Sequence, residues 1–170
     1  MIELLILYKL SKKVLTMYGI SKDIHEDFSV LTTPSFGTIK PALTRLEKSE
    51  LVKSQKTLSA GGRPSVYYSI TQKGLKELNN LMLSQLTDNP IQFLTTARVR
   101  VACAAILNNS ERDEMFIMLK NKAESIILDT NTLLKTCELD FYQKMVFDNL
   151  LCEYKNFISL LEGLERASKN

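Results

Sequence analysis

Apolar residues in segment 2–15 (Ile2, Leu4, Leu5, Ile6, Leu7, Leu10, Val14, Leu15) fall on almost every side of a helical wheel. That pattern predicts a helix buried nearly all round. A second helix is expected over about 18–28, where Ile20, Ile24 and Phe28 repeat every fourth residue and Lys22, Asp23 and Glu26 take the opposite face. Thr33-Pro34 then sets a capping hydroxyl before a proline at a first helical position. The helix this predicts runs to about Ser49, with Ile39, Ala42, Leu43 and Leu46 at the spacing of one buried stripe.

The period changes after Ser49. Leu51–Thr57 and Val66–Thr71 read as two strands around Ser59-Ala60-Gly61-Gly62-Arg63-Pro64, a turn by composition. In the second strand Val66, Tyr68 and Ile70 alternate with Tyr67 and Ser69, the rhythm of a half-buried strand. Thr71 can cap a fourth helix that turns Leu75, Leu78, Leu81 and Met82 inward. Three helices, a hairpin and a helix in this order describe a winged helix-turn-helix.

Asp88-Asn89-Pro90 interrupts the pattern, and everything beyond it reads as helix. Segment 91–107 is apolar on most sides, and Ser110-Glu111-Arg112-Asp113 resembles a capping box opening the next helix. Along that helix Phe116, Leu119, Ala123, Ile126, Thr130, Leu133 and Cys137 recur in alternating steps of three and four, an a/d seam. The last helix, from about Asp140, carries two overlapping stripes. One is Phe147, Leu151, Tyr154, Ile158 and Leu161; the other is Leu150, Tyr154, Phe157, Leu161 and Leu164. Their combined width exceeds what one partner helix covers, so one stripe is expected to serve a second subunit. The fold class expected is therefore mainly α with a small β-hairpin: a winged helix-turn-helix over 1–86 and a helical dimerisation domain, with room for an effector, over 87–170.

Composition changes little in this picture, but charge does. The 170 residues are 45% hydrophobic and 24% charged, ordinary for a folded chain, and no apolar run approaches the roughly 20 residues of a membrane span. The opening Met1-Ile2-Glu3 reverses the basic-then-apolar order of a secretory signal, so a cytoplasmic protein is expected. Residues 1–83 hold 12 basic and 7 acidic side chains, residues 84–170 hold 10 and 12. Between Lys40 and Lys76 eight basic residues meet only Glu47 and Glu50. A basic half joined to a mildly acidic one suggests a polyanion-binding module on a different kind of partner.

On the third helix, Gly37, Thr38, Lys40, Pro41, Thr44, Arg45 and Lys48 lie opposite the buried stripe, at about 100° per residue. This face bears hydroxyls and long cations and no acid, groups that reach base edges and phosphates in a major groove. Enzymatic chemistry has little to build on. His25 is the only histidine, and no glycine-rich phosphate loop, nucleophile elbow or HExxH is present. Cys103, Cys137 and Cys152 are an odd number without short spacing and read as core residues, not ligands or disulfides. No catalytic residue, metal or cofactor is expected.

The segment Pro34-Ser35-Phe36-Gly37-Thr38-Ile39-Lys40-Pro41-Ala42-Leu43-Thr44-Arg45-Leu46-Glu47-Lys48-Ser49-Glu50-Leu51-Val52 resembles the recognition helix of PadR-family transcription regulators. Tyr18-Gly19-Ile20 through Ile24 is similar to their second helix, and Gly61-Gly62-Arg63-Pro64-Ser65-Val66-Tyr67-Tyr68-Ser69-Ile70-Thr71-Gln72-Lys73-Gly74 to their wing. Lys40 departs from the family's usual Tyr and Glu50 from its usual Gly; a Cβ at residue 50 makes a helix-ending left-handed conformation less comfortable.

The expected function is sequence-specific regulation of transcription, as a repressor, by a homodimer on a near-palindromic site in double-stranded DNA. The DNA-binding residues expected are Ser35, Thr38, Lys40, Thr44, Arg45 and Lys48, with Arg63, Ser65 and Tyr67 of the wing. Phe116, Leu119, Ile126 and Leu133, with Phe147, Leu151, Tyr154, Ile158 and Leu161, are expected at the dimer interface. A small apolar or aromatic effector would lie near Leu7, Phe93 and Phe157. Two alternatives stay open: a winged-helix module that binds another protein, and a promiscuous small-molecule binder.

Overall fold

A computed structural model describes residues 1–58, 62 and 64–167. The chain forms α1 (Ile2–Lys12), β1 (Leu15–Thr16), α2 (Met17–Phe28), α3 (Phe36–Lys48), β2 (Val52–Leu58), β3 (Pro64–Ile70) and α4 (Gln72–Leu83). Then follow α5 (Pro90–Ala102), a 3₁₀ turn over Ala104–Ile106, α6 (Asn109–Thr136) and α7 (Phe141–Ala167). No described helix is long and apolar enough to cross a membrane. The fold is mainly α with one small antiparallel sheet, and its first seven elements are in winged-helix order.

Two compact units divide the chain. The first comprises Met1–Ser84 and Arg98–Ile106; the second comprises Gln85–Ala97 and the chain from Leu107 onward. In the first unit α1 is the central pillar, packed on α2, α3, α4 and β3. Its apolar residues on all sides follow from that position: Leu4, Leu5, Ile6, Leu7 and Leu10 are all buried. Around them lie Ile20, Ile24 and Phe28 of α2, Ile39, Ala42, Leu43 and Leu46 of α3, and Leu78 and Met82 of α4. Lys9 of α1 is buried too, paired with Asp27 and with its ammonium 5.2 Å from the centroid of the Phe28 ring. Arg100 comes back to this unit, donating from Nη1 to the Ser84 carbonyl at 2.8 Å and from Nη2 to Ser84 Oγ at 2.9 Å.

The first helix stops three residues before the expected end. Lys13 is extended, and Leu15-Thr16 pairs with Tyr68 and Tyr67 as a third strand, so the sheet order is β1-β3-β2. β3 is therefore the central strand, flanked on both edges. Its residues from Ser65 to Ile70 are all half-buried, in place of the expected alternation. Thr16 also caps α2, its Oγ1 accepting from the Gly19 amide at 3.1 Å.

Other boundaries move for local reasons. α3 begins at Phe36 with Ser35 as its N-cap, not at Pro34 behind Thr33. Ser35 takes the extended backbone of a cap (φ −75°, ψ 163°), and its carbonyl accepts from both Thr38 and Ile39 amides at 3.0 Å. Pro41 sits inside an unbroken α3. The capping box of α6 uses Asn108 and Glu111, not Ser110 and Asp113. Asn108 Oδ1 accepts from the Glu111 amide at 2.9 Å and Glu111 Oε2 from the Asn108 amide at 3.1 Å. Leu75, expected inward, is exposed on α4, where Gly74 takes the buried place.

The cysteine reading holds for one residue of three. Cys103 is buried, and loss of hydration pushes its thiol up to about 12, so it stays protonated and inert. Cys137 and Cys152 are exposed.

α3 ends in a Schellman turn. The Leu51 amide donates to the Leu46 carbonyl and the Glu50 amide to the Glu47 carbonyl, each at 2.9 Å. Glu50 accordingly adopts φ +61°, the left-handed conformation its Cβ resists. Its carboxylate is 3.5 Å from Lys73 Nζ, an exposed pair that contributes little. Glu50→Gly is therefore expected to stabilise the first unit by about 1 kcal/mol. For a unit of this size the thermal midpoint rises by about 4–8 °C, and calorimetry of the two proteins checks it.

The second unit is built on an α-helical pair. α6 packs along α7, burying Met115, Phe116, Leu119, Ala123 and Ile126 against Leu151, Tyr154, Phe157 and Leu161. Lys120 and Glu162 clasp the two helices at 2.7 Å, and each holds the other's charge: the lysine is raised and the carboxyl lowered by their hydrogen bond. Phe93 of α5 completes the core, stacked on Tyr154 with centroids 6.2 Å apart and edge-on to Phe157 at 6.4 Å.

Candidate nucleic-acid interface

The buried stripe of α3 leaves its other face to solvent. Ser35, Thr38, Lys40, Thr44, Arg45 and Lys48 are all exposed, so one helix presents together six residues chosen from the sequence. Their hydroxyls differ in freedom. Ser35 Oγ lies 3.3 Å from Thr38 Oγ1, and the two support each other at the first turn. Thr44 Oγ1 donates to the Lys40 carbonyl at 3.1 Å, which keeps an acceptor on its own helix.

Arg45 is not free. Its Nε donates to Glu3 Oε1 at 2.8 Å, so α1 holds the guanidinium stem, and among the described residues no second carboxylate pairs with it. No local pattern announces this pair, because its members are 42 residues apart. Lys40 and Lys48 make no ion pair among the described residues.

The hairpin adds further exposed cations. Lys53 and Lys56 are exposed on β2, with Ser54, Gln55 and Thr57 beside them. Ser65 and Tyr67 are half-buried in β3, Tyr67 in register with Gln55 on one side and Thr16 on the other. Their aromatic and hydroxyl groups are thus partly committed to the sheet. Arg63 lies outside the described residues; Gly62 beside it has φ +71°, a turn conformation suited to glycine.

Two aromatic residues outside the expected DNA-binding set stand exposed on α2 and α3. Tyr18, in the first turn of α2, and Phe36, the first residue of α3, stack with centroids 6.4 Å apart and planes 17° from parallel. They are 68% and 45% exposed. The signal was available in part: Phe36 stands three residues before Ile39 and seven before Leu43, on a core stripe that runs past the end of the core.

Residues assigned from the sequence to other sites lie elsewhere. Phe116, Leu119, Ile126, Leu151, Tyr154 and Leu161 are buried within their own unit, where they close α6 on α7. Phe147 and Ile158 are half-buried and Leu133 is exposed. Leu7, Phe93 and Phe157 are buried, the first in one unit and the other two in the second. His25 is exposed on α2. Among the described residues no group of His, Cys, Asp and Glu is placed to hold a metal ion.

A family model described as the transcriptional regulator PadR-like family matches residues 6–80, from α1 through most of α4. No curated protein matches the chain. Among solved structures, a PadR family transcription regulator from Clostridium difficile is 34% identical over 45% of this chain and 78% of its own, with a TM-score of 0.41. A PadR-like transcriptional regulator from Bacillus cereus is 32% identical over 46% of this chain and 74% of its own, also at 0.41. Bacillus subtilis PadR in complex with operator DNA is 19% identical, aligned over 97% of each chain, at 0.45. The family model over residues 6–80 agrees with the motifs around Thr38, Tyr67 and Gly74, and two regulators of the family are more than 30% identical over about three quarters of their own length: the chain belongs to the PadR-like family of transcriptional regulators.

Proposed function

We propose that the protein is a homodimeric repressor that binds a near-palindromic operator in double-stranded DNA. The carrying observation is the exposed face of α3, which bears no acid of its own and meets Glu3 of α1 at Arg45, together with the exposed lysines of β2, in a chain of a regulator family. α3 enters the major groove by its N-terminal turn, as recognition helices do. Ser35, Thr38 and Lys40 stand at that end and read base edges. Thr44, Arg45 and Lys48 lie further along and grip phosphates, with Arg63, Ser65 and Tyr67 of the wing on the flanking backbone. Arg45 approaches its phosphate already braced by Glu3, which lowers the ordering cost of that contact.

The region 1–86 serves as the DNA-binding part and 87–170 as the dimerisation arm. With most of the seam used inside the chain, a second copy is met by what stays outside. Phe141, Tyr142, Met145 and Val146 of α7 and Leu128 of α6 are exposed large apolar residues in one unit. An unpaired apolar surface of this kind is the usual mark of an association site.

The test is a titration of duplex DNA, selected from a random pool by the full-length protein, at several salt concentrations. Binding is expected to weaken with log salt at a slope of about −0.9 for each phosphate neutralised. Lys48→Ala is expected to weaken all sequences alike and to flatten that slope by about one unit, the share of a single phosphate. Lys40→Ala instead changes which variants are preferred. Absence of duplex affinity would favour a protein-binding module. A monomer in sedimentation at micromolar concentration would remove the dimer.

A further inference from the structure

Exposed aromatic pairs are uncommon on a polar helix face. Phe36 carries its ring at the first residue of α3, between exposed Ser35 and Gly37, two residues before Thr38. Its stacking on Tyr18 fixes the ring without burying it. The pair flanks a hollow of about 340 Å³ lined also by Ser21, Lys22, His25, Thr33 and Pro34, a lining without a carboxylate. Lys22 reaches Glu26 only loosely, at 3.7 Å, with both groups exposed. The surroundings thus suit a polyanion, while the pair itself offers a rigid apolar surface.

A polyanion with an apolar spot in reach of a recognition helix has one obvious chemistry. The major groove of DNA is lined with donors and acceptors, and the 5-methyl group of thymine is the apolar feature among them. From the reading that α3 enters the groove by its first turn, on which this step rests, we infer that Phe36 contacts a thymine 5-methyl in each half-site. Tyr18 acts as a positioning residue that holds the Phe36 ring. The recognition set then includes a shape contact that no hydrogen-bonding residue of α3 supplies, and it selects thymine at one position against cytosine and uracil.

The experiment uses the full-length protein and a duplex selected from a random pool by that protein. Each dT of the duplex is replaced in turn by deoxyuridine, which removes only the methyl group. At one position per half-site the replacement is expected to weaken binding about threefold to fivefold, the worth of one buried methyl-sized group. Phe36→Ala is expected to bind the dT and dU duplexes equally, with an unchanged salt slope because Phe36 neutralises no phosphate. Tyr18→Ala is expected to reduce the discrimination and Tyr18→Phe to retain it. Tyr18 is 68% and Phe36 45% exposed and neither belongs to the buried core, so the variants are expected to keep the wild-type thermal midpoint to within a few degrees, which separates a change in recognition from a failure to fold. The inference is overturned if the wild type ignores every dT→dU replacement, or if Phe36→Ala still discriminates; duplex binding itself then stands. If the wild type retains no duplex at all, the DNA-binding reading falls and this inference with it.

Discussion

Gly74→Ala is expected to destabilise the N-terminal unit by about 3 kcal/mol, the tightest fit for an added methyl among the described glycines. A Cβ at Gly74 would stand 2.1 Å from the Leu51 carbonyl oxygen and 2.8 Å from Ile70 Cγ1. Neither neighbour can step aside. The Leu51 carbonyl accepts from the Thr71 amide at 3.0 Å and from Thr71 Oγ1 at 3.2 Å, and Ile70 closes the register of β3 against Val52. Thr71 Oγ1 meanwhile accepts from the Gly74 amide at 3.0 Å as the N-cap of α4. Glycine is thus required by a close approach and not by its backbone angles. Chemical denaturation should show a lower midpoint, with duplex affinity lost in step with the folded fraction. A midpoint unchanged to within experimental error would mean that α4 shifts freely against the turn at Leu51.

In the second unit, Phe93→Ala is expected to cost about 3–5 kcal/mol. The ring is fully buried, stacked on Tyr154 and edge-on to Phe157, so truncation removes apolar burial and two aromatic contacts together. The cavity left cannot collapse easily, because Tyr154 is anchored by its hydroxyl, which donates to the Pro90 carbonyl at 2.8 Å. Tyr154→Phe keeps the ring and loses that bond, for a cost of about 1 kcal/mol. Separate unfolding transitions for the two units would show the Phe93 effect confined to one of them. Equal costs for the two variants would mean that the hydrogen bond, not the packing, holds α5 to the pair.

How far the site was legible follows from where its determinants lie. The face of α3 is a matter of period alone: once Ile39, Ala42, Leu43 and Leu46 are the buried stripe, Thr38, Lys40, Thr44 and Lys48 must point away from it. The Gly at residue 74 and the misfit at Glu50 were visible as motif and departure from motif; the close approach to the Leu51 carbonyl and φ +61° at Glu50 are their respective structural expressions. Arg45 was legible as a cation but not as one held by Glu3, and Tyr18 was not legible as a partner of Phe36. Both pairings are made between helices, at crossings that no local spacing encodes.

Element order, helix faces and the kind of chemistry available are written in the amino-acid sequence, because they depend on periodicity, turn residues and side-chain inventory over short spans. Three further features exist only in space. β1 joins the sheet, since Leu15-Thr16 becomes a strand only by pairing with Tyr68 and Tyr67 more than 50 residues on. Arg98–Ile106 returns to the first unit, where Arg100 finds Ser84. And Phe116, Leu119, Ile126, Leu151, Tyr154 and Leu161 are used up inside the chain. An apolar stripe states that a surface will be covered; only the arrangement in space decides which surface covers it, because burial rewards area and not the identity of the partner.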